Sequence, residues 1–214
     1  KSYIKKHPKL YYLALCVYKC NDKKFRKFCL DYKENPRIIH FEHLGNENPD
    51  KNIYLIRVGN SAVGMFSLCI WTLRFLEFAD RFHLTPIISW SEKVAYFRKG
   101  GVNGIYDPYE YYFKQPAGLS IDGITKSYNI AVNRQQDRAY GNVADSYDFS
   151  VNEINRLSVI WNKYIKLQTN IEQDINERIT KLFNGEKIIG VHVRGADWRK
   201  MKISGHPITA SEEE

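Results

Sequence analysis

The sequence has few cysteines, and they show no pattern typical of a disulfide framework or a metal site. The four cysteines are Cys16, Cys20, Cys29 and Cys69. They show neither Cys-x-x-Cys spacing nor a nearby histidine at the spacing of zinc ligands. We therefore expect no structural zinc site, and we expect buried or free thiols in a reducing compartment.

The sequence also lacks an uncharged stretch long enough to cross a membrane. The best candidate is residues 58–73, with 16 uncharged residues between Arg57 and Arg74. A membrane-spanning helix needs about 20 predominantly apolar residues. This stretch also contains glycine and polar residues, so we predict no transmembrane segment.

Positive charge is in modest excess, because the 214 residues carry a formal net charge of +8. A basic surface suits phosphate-bearing ligands, anionic lipid head groups or nucleic acid. The basic residues are spread along the whole chain, so a nucleic-acid partner is not expected. Residues 1–33 read as basic amphipathic helices, which either contact an anionic membrane surface or pack on their own domain.

The clearest fold signal is a strand–helix–strand unit. Residues 53–58 read as a strand, 59–64 as a small-residue turn, 65–82 as a long apolar helix, and 85–90 as a second strand. Parallel strands need this kind of crossover connection, so the pattern predicts an α/β fold. The helix carries one narrow polar stripe and is otherwise apolar, which predicts that it is mostly buried.

The turn in this unit is a candidate anion site. Gly59, Asn60 and Gly64 precede the helix, whose first N–H groups can bind phosphate. The spacing matches neither a P-loop nor a dinucleotide-binding fingerprint. Tight packing of the helix on the strand explains both glycines equally well.

A second candidate site is an aromatic segment, residues 106–116, with five aromatics in eight residues. The rings of Tyr109 and Tyr111 could stack on sugars, and the Glu110 carboxylate could bind hydroxyl groups. The alternative is a helix that packs its rings inward and leaves the tyrosine hydroxyls at the rim. Residues 117–147 read as loops with a short strand or helix.

Two helices are predicted from their start and stop signals. Ser150-x-x-Glu153 and Thr169-x-x-Glu172 are capping boxes, in which the hydroxyl and the carboxylate each accept from a free N–H group. Asn184-Gly185 is typical of a left-handed helix stop. Both helices are interpreted as structural braces.

The most specific chemical signal is an apolar run, residues 188–193, that ends in charged residues. Such a run is typical of a parallel strand buried on both faces. Ligands in open α/β sheets bind outside the carboxyl ends of the strands. Arg194 offers a planar fork for two phosphate oxygens, and Gly195 allows close backbone approach. The alternative is a structural pair of Arg194 and Asp197, with a core histidine in the strand.

Residues 190–198, Gly-Val-His-Val-Arg-Gly-Ala-Asp-Trp, are followed by Gly205-His206-Pro207. Together they resemble the first motif of the fucosyltransferase-like glycosyltransferases, a group that includes α1,6-fucosyltransferases, protein O-fucosyltransferases and bacterial surface-polysaccharide enzymes. The shared signature, His-x-Arg followed by Asp, is matched by His192, Arg194 and Asp197. Some members carry a second Arg where this chain has Gly195.

The resemblance implies a GT-B fold in which the motif lies near the start of the nucleotide-sugar lobe and its Arg contacts the diphosphate of GDP-fucose. On this basis the expected catalytic residues are Arg194 and Asp197. The expected donor-binding residues are His192, Arg194, Gly195, Gly59, Asn60, Gly64 and His206. The expected acceptor-side residues are Tyr109, Glu110 and Tyr111. The family often carries a helix ending in Phe-Ala-Asp, present here as residues 78–80, but its preceding Asn-Gln pair is absent.

Glycosyl transfer from a nucleotide sugar requires stabilisation of negative charge on the leaving diphosphate. No Asp-x-Asp metal motif occurs in the sequence. We therefore expect metal-independent stabilisation by Arg194, with the GDP-sugar as co-substrate and no cofactor. His192 and His206 are expected near the same crevice.

The expected organisation has four parts: a helical and strand extension (residues 1–48), a Rossmann-like acceptor-side lobe (49–149), bracing helices (150–185) and the first strand and loop of the donor lobe (186–214). A doubly wound lobe needs several more strand–helix units, and the sequence begins without Met or leader. We therefore expect the amino-terminal part of a longer product, inactive alone.

The expected function is transfer of fucose or a related sugar to a glycan acceptor during synthesis of surface polysaccharide or lipopolysaccharide. The expected location is the cytoplasm, with possible contact at the inner face of the membrane. The alternative is a non-catalytic α/β module that binds a sugar or a phosphate-bearing partner through the same groove. Further strand–helix repeats downstream would favour the enzyme.

Overall fold

The computed structural model describes residues 22–32, 37–59, 64–133 and 150–187. The chain divides into two units, Lys1–Glu172 and Gln173–Glu214. The described residues of the first unit form a four-stranded open sheet with the order β1-β4-β2-β3. Its strands are β1 (Ile38–Glu42), β2 (Glu47–Val58), β3 (Thr85–Trp90) and β4 (Ser127–Asn133).

β2 pairs in parallel with both β3 and β4, and β1 runs antiparallel to β4. The described helices are α1 (Lys23–Tyr32), α2 (Met65–Arg81), α3 (Pro108–Tyr112), α4 (Val151–Tyr164) and α5 (Thr169–Phe183), with a 3-10 turn at Asp122–Ile124. The α/β class predicted from the sequence is therefore confirmed as a mostly parallel open sheet with helices.

The strand–helix–strand prediction is confirmed as β2-α2-β3. β3 has the predicted bounds, and α2 ends one residue before the predicted end. β2 begins earlier than predicted, at Glu47, because its first residues pair with the start of β4 across a register shift between Glu47 and Asn52. β1 is a strand within the expected helical and strand extension, residues 1–48.

Most helices that the structure describes in the first unit cover one face of the sheet. On that face α2 buries Leu68, Leu73 and Leu76 against Tyr54 and Ile56 of β2. The opposite face carries a smaller apolar cluster, in which strand residues Ile53, Leu55, Ile87, Ile130 and Val132 pack with Ile124 of the 3-10 turn. The connection from β3 to β4 thus reaches the face opposite to α2.

The polar stripe of α2 lies against α4. Arg74 contacts the carboxylate of Glu153, and the Asp80 carboxylate contacts the ammonium of Lys163. Between them, Glu77 Oε1 lies 2.5 Å from Arg156 Nε. Single ion pairs that are partly exposed stabilise a fold little. Three pairs of complementary sign nevertheless specify how α4 aligns along α2.

The helix signals are confirmed in part. The Ser150 hydroxyl accepts a hydrogen bond from Glu153 N at 3.2 Å, as expected of a cap, while the Glu153 carboxylate contacts Arg74. Thr169 is the first residue of α5. The predicted left-handed stop is present, with φ of 41° at Asn184 and 79° at Gly185.

The predicted division at residue 48 would separate β1 from its sheet partner β4. Phe25 and Phe28 of α1 are buried in the same core as α2. α1 and β1 thus share the sheet and core of the first unit. In the part of the chain that the structure describes, no helix is long and apolar enough to cross a membrane.

Truncating the core side of α2 should destabilise the first unit strongly. Leu76 is fully buried between the helix and the sheet, so Leu76→Ala is expected to cost about 2–5 kcal/mol of unfolding free energy. Phe66, 73% exposed on the same helix, provides the control, and Phe66→Ala should cost less than about 0.5 kcal/mol. Urea unfolding of the two variants checks this, and equal losses would contradict the packing described.

Candidate functional site at the carboxyl ends of the strands

Several predicted site residues lie outside the described residues. These are His192, Arg194, Gly195, Asp197 and His206 of the carboxyl-terminal motif, together with Asn60 of the glycine turn. Their roles stay predictions. The described part of the candidate site is the edge of the sheet where β2 and β3 end.

Gly59 follows β2 and is required by close packing. A Cβ atom at this position would lie 2.1 Å from Ser91 Oγ and 2.6 Å from Ser91 Cβ. Ser91 is the first residue after β3, and its N–H donates to Val58 O at 2.9 Å. The glycine therefore lets the ends of two neighbouring parallel strands meet, and any larger residue would separate them.

The amino terminus of α2 is partly capped by a tyrosine. Met65 N donates to the Tyr96 hydroxyl at 2.8 Å, while Gly64 occupies the cap position in an extended conformation. Among the described residues, the atom nearest to a Cβ at Gly64 would be Tyr96 Oη, at 3.9 Å. Tyr96, in the loop after β3, thus accepts from one of the helix N–H groups that were predicted to bind an anion.

Arg57 is a cation at this edge that sequence reasoning missed. Asn133, which is 1% exposed, accepts from Arg57 N at 2.7 Å and donates to Arg57 O at 3.0 Å. This buried amide continues the pairing of β4 with β2 beyond the last backbone bonds. The Arg57 side chain itself is exposed, and Ser89 of β3 is its neighbour across the sheet.

Asp107 joins β3 to α3 through three hydrogen bonds. One oxygen accepts from Trp90 N at 3.1 Å and Tyr109 N at 2.9 Å, and the other accepts from the Ser89 hydroxyl at 2.6 Å. Burial raises the pKa of Asp107 to about 6, although these three donors oppose the shift. The Asp107-Pro108 dipeptide, a cap residue followed by proline in the first turn, was the available signal.

Gln115 closes the outer edge of β3. Its side-chain amide accepts from Ile88 N at 2.9 Å and donates to Ile88 O at 2.6 Å, as a neighbouring strand would. Pro86, two residues earlier on the same edge, has no N–H group, and Trp90 N is bonded to Asp107. These side chains leave little edge for another strand to join.

The predicted acceptor-side residues are buried or engaged in the fold. Tyr109 is fully buried and its ring stacks on Phe113, with centroids 5.2 Å apart. The Tyr111 hydroxyl donates to Tyr106 O at 3.0 Å. Glu110 Oε1 accepts from Ile121 N at 3.2 Å and from the Gln115 amide at 3.0 Å. These contacts favour the packing interpretation of the aromatic segment, and its contact with an acceptor stays a prediction.

Asp80, from the Phe-Ala-Asp sequence at the end of α2, is also used within the fold. Its carboxylate accepts from the Tyr164 hydroxyl at 2.5 Å and pairs with Lys163. These hydrogen bonds, with that from Lys163 as the largest cause, lower the pKa of Asp80. Asp80 thus ties α2 to the end of α4.

The described residues contain no group of three or more His, Cys, Asp or Glu side chains placed to hold a metal ion. Cys29 and Cys69 are buried, and burial raises the pKa of the Cys69 thiol to about 12. A thiol with so high a pKa is a poor nucleophile at neutral pH, since the thiolate is the reactive form. Cys69 therefore contributes to packing on the buried side of α2.

The titration of Asp107 should be visible in the stability of the protein. Because the pKa of Asp107 is raised in the folded state, the unfolded state releases this proton first. The free energy of unfolding should therefore fall as pH rises from about 4 to about 6, where the native carboxyl also ionises. Over this pH range, the unfolding free energy of the wild type should fall by at most about 3 kcal/mol more than that of Asp107→Asn. Asparagine can keep the two N–H contacts and donate to Ser89. Urea unfolding at several pH values checks this, and parallel pH profiles of the two proteins would contradict it.

Comparisons with protein-family models, characterised proteins and solved structures found no match to this chain. The described part of the candidate site is therefore a parallel sheet edge with a required glycine at Gly59, an exposed cation at Arg57, and a partly buried carboxyl at Asp107.

Proposed function

We propose that this chain acts in a fucosyltransferase-like glycosyltransferase, which transfers fucose or a related sugar from a GDP-sugar to a glycan acceptor. The acceptor belongs to surface polysaccharide or lipopolysaccharide, and the reaction takes place in the cytoplasm or at the inner face of the membrane. The observation that carries this proposal is the sequence of residues 190–207, which joins an apolar run to His192, Arg194 and Asp197.

The parallel sheet supports the proposal at a coarser level. A strand that ends in a glycine and leads through a long helix to a parallel neighbour is the unit from which Rossmann-like lobes are built. In the proposal, the first unit is the acceptor-side lobe of a GT-B fold. The exposed Arg57 at the carboxyl edge adds positive charge where such lobes bind ligands.

Arg194 has the central chemical role in the proposal. As the glycosidic bond to the nucleotide breaks, the leaving diphosphate gains negative charge, and a bidentate guanidinium can donate two hydrogen bonds to it. Asp197 orients this guanidinium or accepts from sugar hydroxyls. His192 and His206 donate to phosphate or sugar oxygens. No metal is required for this form of leaving-group stabilisation.

The activity test uses full-length protein and measures hydrolysis and transfer with GDP-fucose, GDP-mannose and UDP-sugars. Arg194→Ala should lower turnover of the preferred donor by about 100-fold or more, the typical effect of removing a group that stabilises transition-state charge. Arg194→Lys should recover only part of this, because lysine keeps the charge and loses the fork.

Arg178→Ala is the matched control, because it also removes one positive charge. Arg178 is exposed on α5 and bonds Asp174 within the same helix, with Nε 2.9 Å from both carboxylate oxygens. Its replacement should leave turnover unchanged. Equal turnover by wild type and Arg194→Ala would contradict the role of Arg194. Binding of a nucleotide sugar without turnover by the full-length protein would instead support a non-catalytic binding module.

A further inference from the structure

On the sheet face opposite to α2, the last pair of residues that β2 and β3 share is polar. Arg57 and Ser89 are partners in the parallel register, so their side chains leave the same face of the sheet as neighbours. The preceding pair on this face, Leu55 and Ile87, is buried in the smaller apolar cluster. The face therefore changes from apolar to polar at the carboxyl edge.

Ser89 uses its only proton within the fold. Its hydroxyl donates to Asp107 at 2.6 Å, so the two lone pairs of the hydroxyl oxygen are what it offers to a ligand. The pKa of Asp107, about 6, leaves this carboxyl ionised at neutral pH, and an ionised carboxylate only accepts. Of its two oxygens, one accepts from two backbone N–H groups and the other accepts from Ser89. Both residues are only partly buried. This pair therefore presents hydrogen-bond acceptors to a ligand.

Arg57 supplies donors beside these acceptors. Its guanidinium carries a permanent positive charge and five N–H donors. None of the ion pairs that the structure describes includes Arg57. Its backbone is held by the buried Asn133 amide, with hydrogen bonds of 2.7 and 3.0 Å. The start of the side chain is thus fixed, while its charged end is exposed.

These hydrogen-bonding capacities define the chemistry of a matching ligand. A group that faces Arg57 has to be an anion, whereas a group that faces Ser89 and Asp107 has to donate. A phosphate monoester carries a charge of about −1.5 to −2 at pH 7, so one guanidinium would leave excess negative charge beside the Asp107 carboxylate. A sugar acid carries a single negative charge and several hydroxyl donors on one ring. It therefore meets both requirements.

We propose that Arg57, Ser89 and Asp107 bind a hexuronate residue of the glycan acceptor. The sugar carboxylate contacts the Arg57 guanidinium, and ring hydroxyl groups donate to Ser89 and Asp107. The choice of a sugar rests on the proposed function, whereas the requirement for one anionic group and for donors rests on these three side chains. The acceptor is thus an acidic polysaccharide, and all three residues belong to the first unit.

Ligand-observed NMR titration of the full-length protein tests the contact with Arg57. At about pH 7.5, where Asp107 is ionised, methyl β-glucuronide is compared with methyl β-glucoside, and methyl β-galacturonide with methyl β-galactoside. At least one acid should bind about tenfold or more tightly than its neutral counterpart, because the Arg57 contact is charge-assisted and bidentate. Arg57→Ala should bring this ratio close to one. Arg178→Ala, which also removes one exposed positive charge, should leave the ratio unchanged.

Asp107→Asn tests the hydroxyl side of the site. Asparagine can keep the two N–H contacts and donate to Ser89, but it removes the charged acceptor from the ligand, so uronide binding should weaken about fivefold or more. Asp80→Asn is the control, because the Asp80 carboxylate is bonded to Tyr164 and Lys163 of α4, and this variant should bind as wild type does.

Three results would overturn the proposal: no binding of either uronide, an acid-to-neutral ratio that Arg57→Ala leaves unchanged, or uronide binding that Asp107→Asn leaves unchanged. Tighter binding of glucose-6-phosphate than of either uronide would also overturn it, because the site would then select a phosphate. These titrations contain no nucleotide sugar, so their failure is distinct from a failure of donor turnover.

Discussion

The pairing of β2 with a parallel strand on each side is the constraint on which the described structure depends. β2 contributes fully buried residues to both faces of the sheet, with Tyr54, Ile56 and Val58 on one and Ile53 on the other. A parallel neighbour requires a crossover, so this pairing also requires α2 and the long connection from β3 to β4. The position of β2 between two parallel strands therefore explains both α2 and the long connection from β3 to β4.

Side chains, rather than further strands, complete the sheet where backbone pairing ends. Asn133 extends the pairing of β4 with β2, and Gln115 and Asp107 occupy the outer edge of β3. Each of these groups satisfies backbone atoms that would otherwise be costly to bury. Side-chain hydrogen bonds thus hold the backbone at the carboxyl ends of β2 and β3, beside Arg57.

Local sequence patterns predicted those strands and helices that follow one another directly along the chain. β2, α2 and β3 were predictable because an apolar strand, a glycine turn and a helix with one polar stripe follow one another without interruption. β4 was predicted only as a short strand or helix somewhere in residues 117–147, because Ser127, Asn129 and Asn133 are polar. Their burial depends on distant partners such as Asn52 and Arg57. For the same reason the sequence could not show that the stripe of α2 pairs with α4.

The candidate site shows the same limit. Gly59 and Gly64 were identified from the turn, but only the structure distinguishes them. A Cβ at Gly59 would clash with Ser91, whereas a Cβ at Gly64 would meet no described atom nearer than 3.9 Å. Tyr109 and Glu110 were chosen for their chemistry, and their burial and hydrogen bonds depend on packing that residue types alone do not determine. Arg57 becomes notable only when the strand ends are brought together, whereas Asp107 had a local signal in the Asp107-Pro108 dipeptide.

The proposed contact of Arg194 with the diphosphate of a nucleotide sugar can be measured by calorimetric titration of full-length wild type and Arg194→Ala with GDP and GMP. A bidentate contact to the second phosphate predicts that wild type binds GDP at least about tenfold more tightly than GMP. In Arg194→Ala this ratio should fall close to one. The same GDP-to-GMP ratio in both proteins would contradict this role of Arg194.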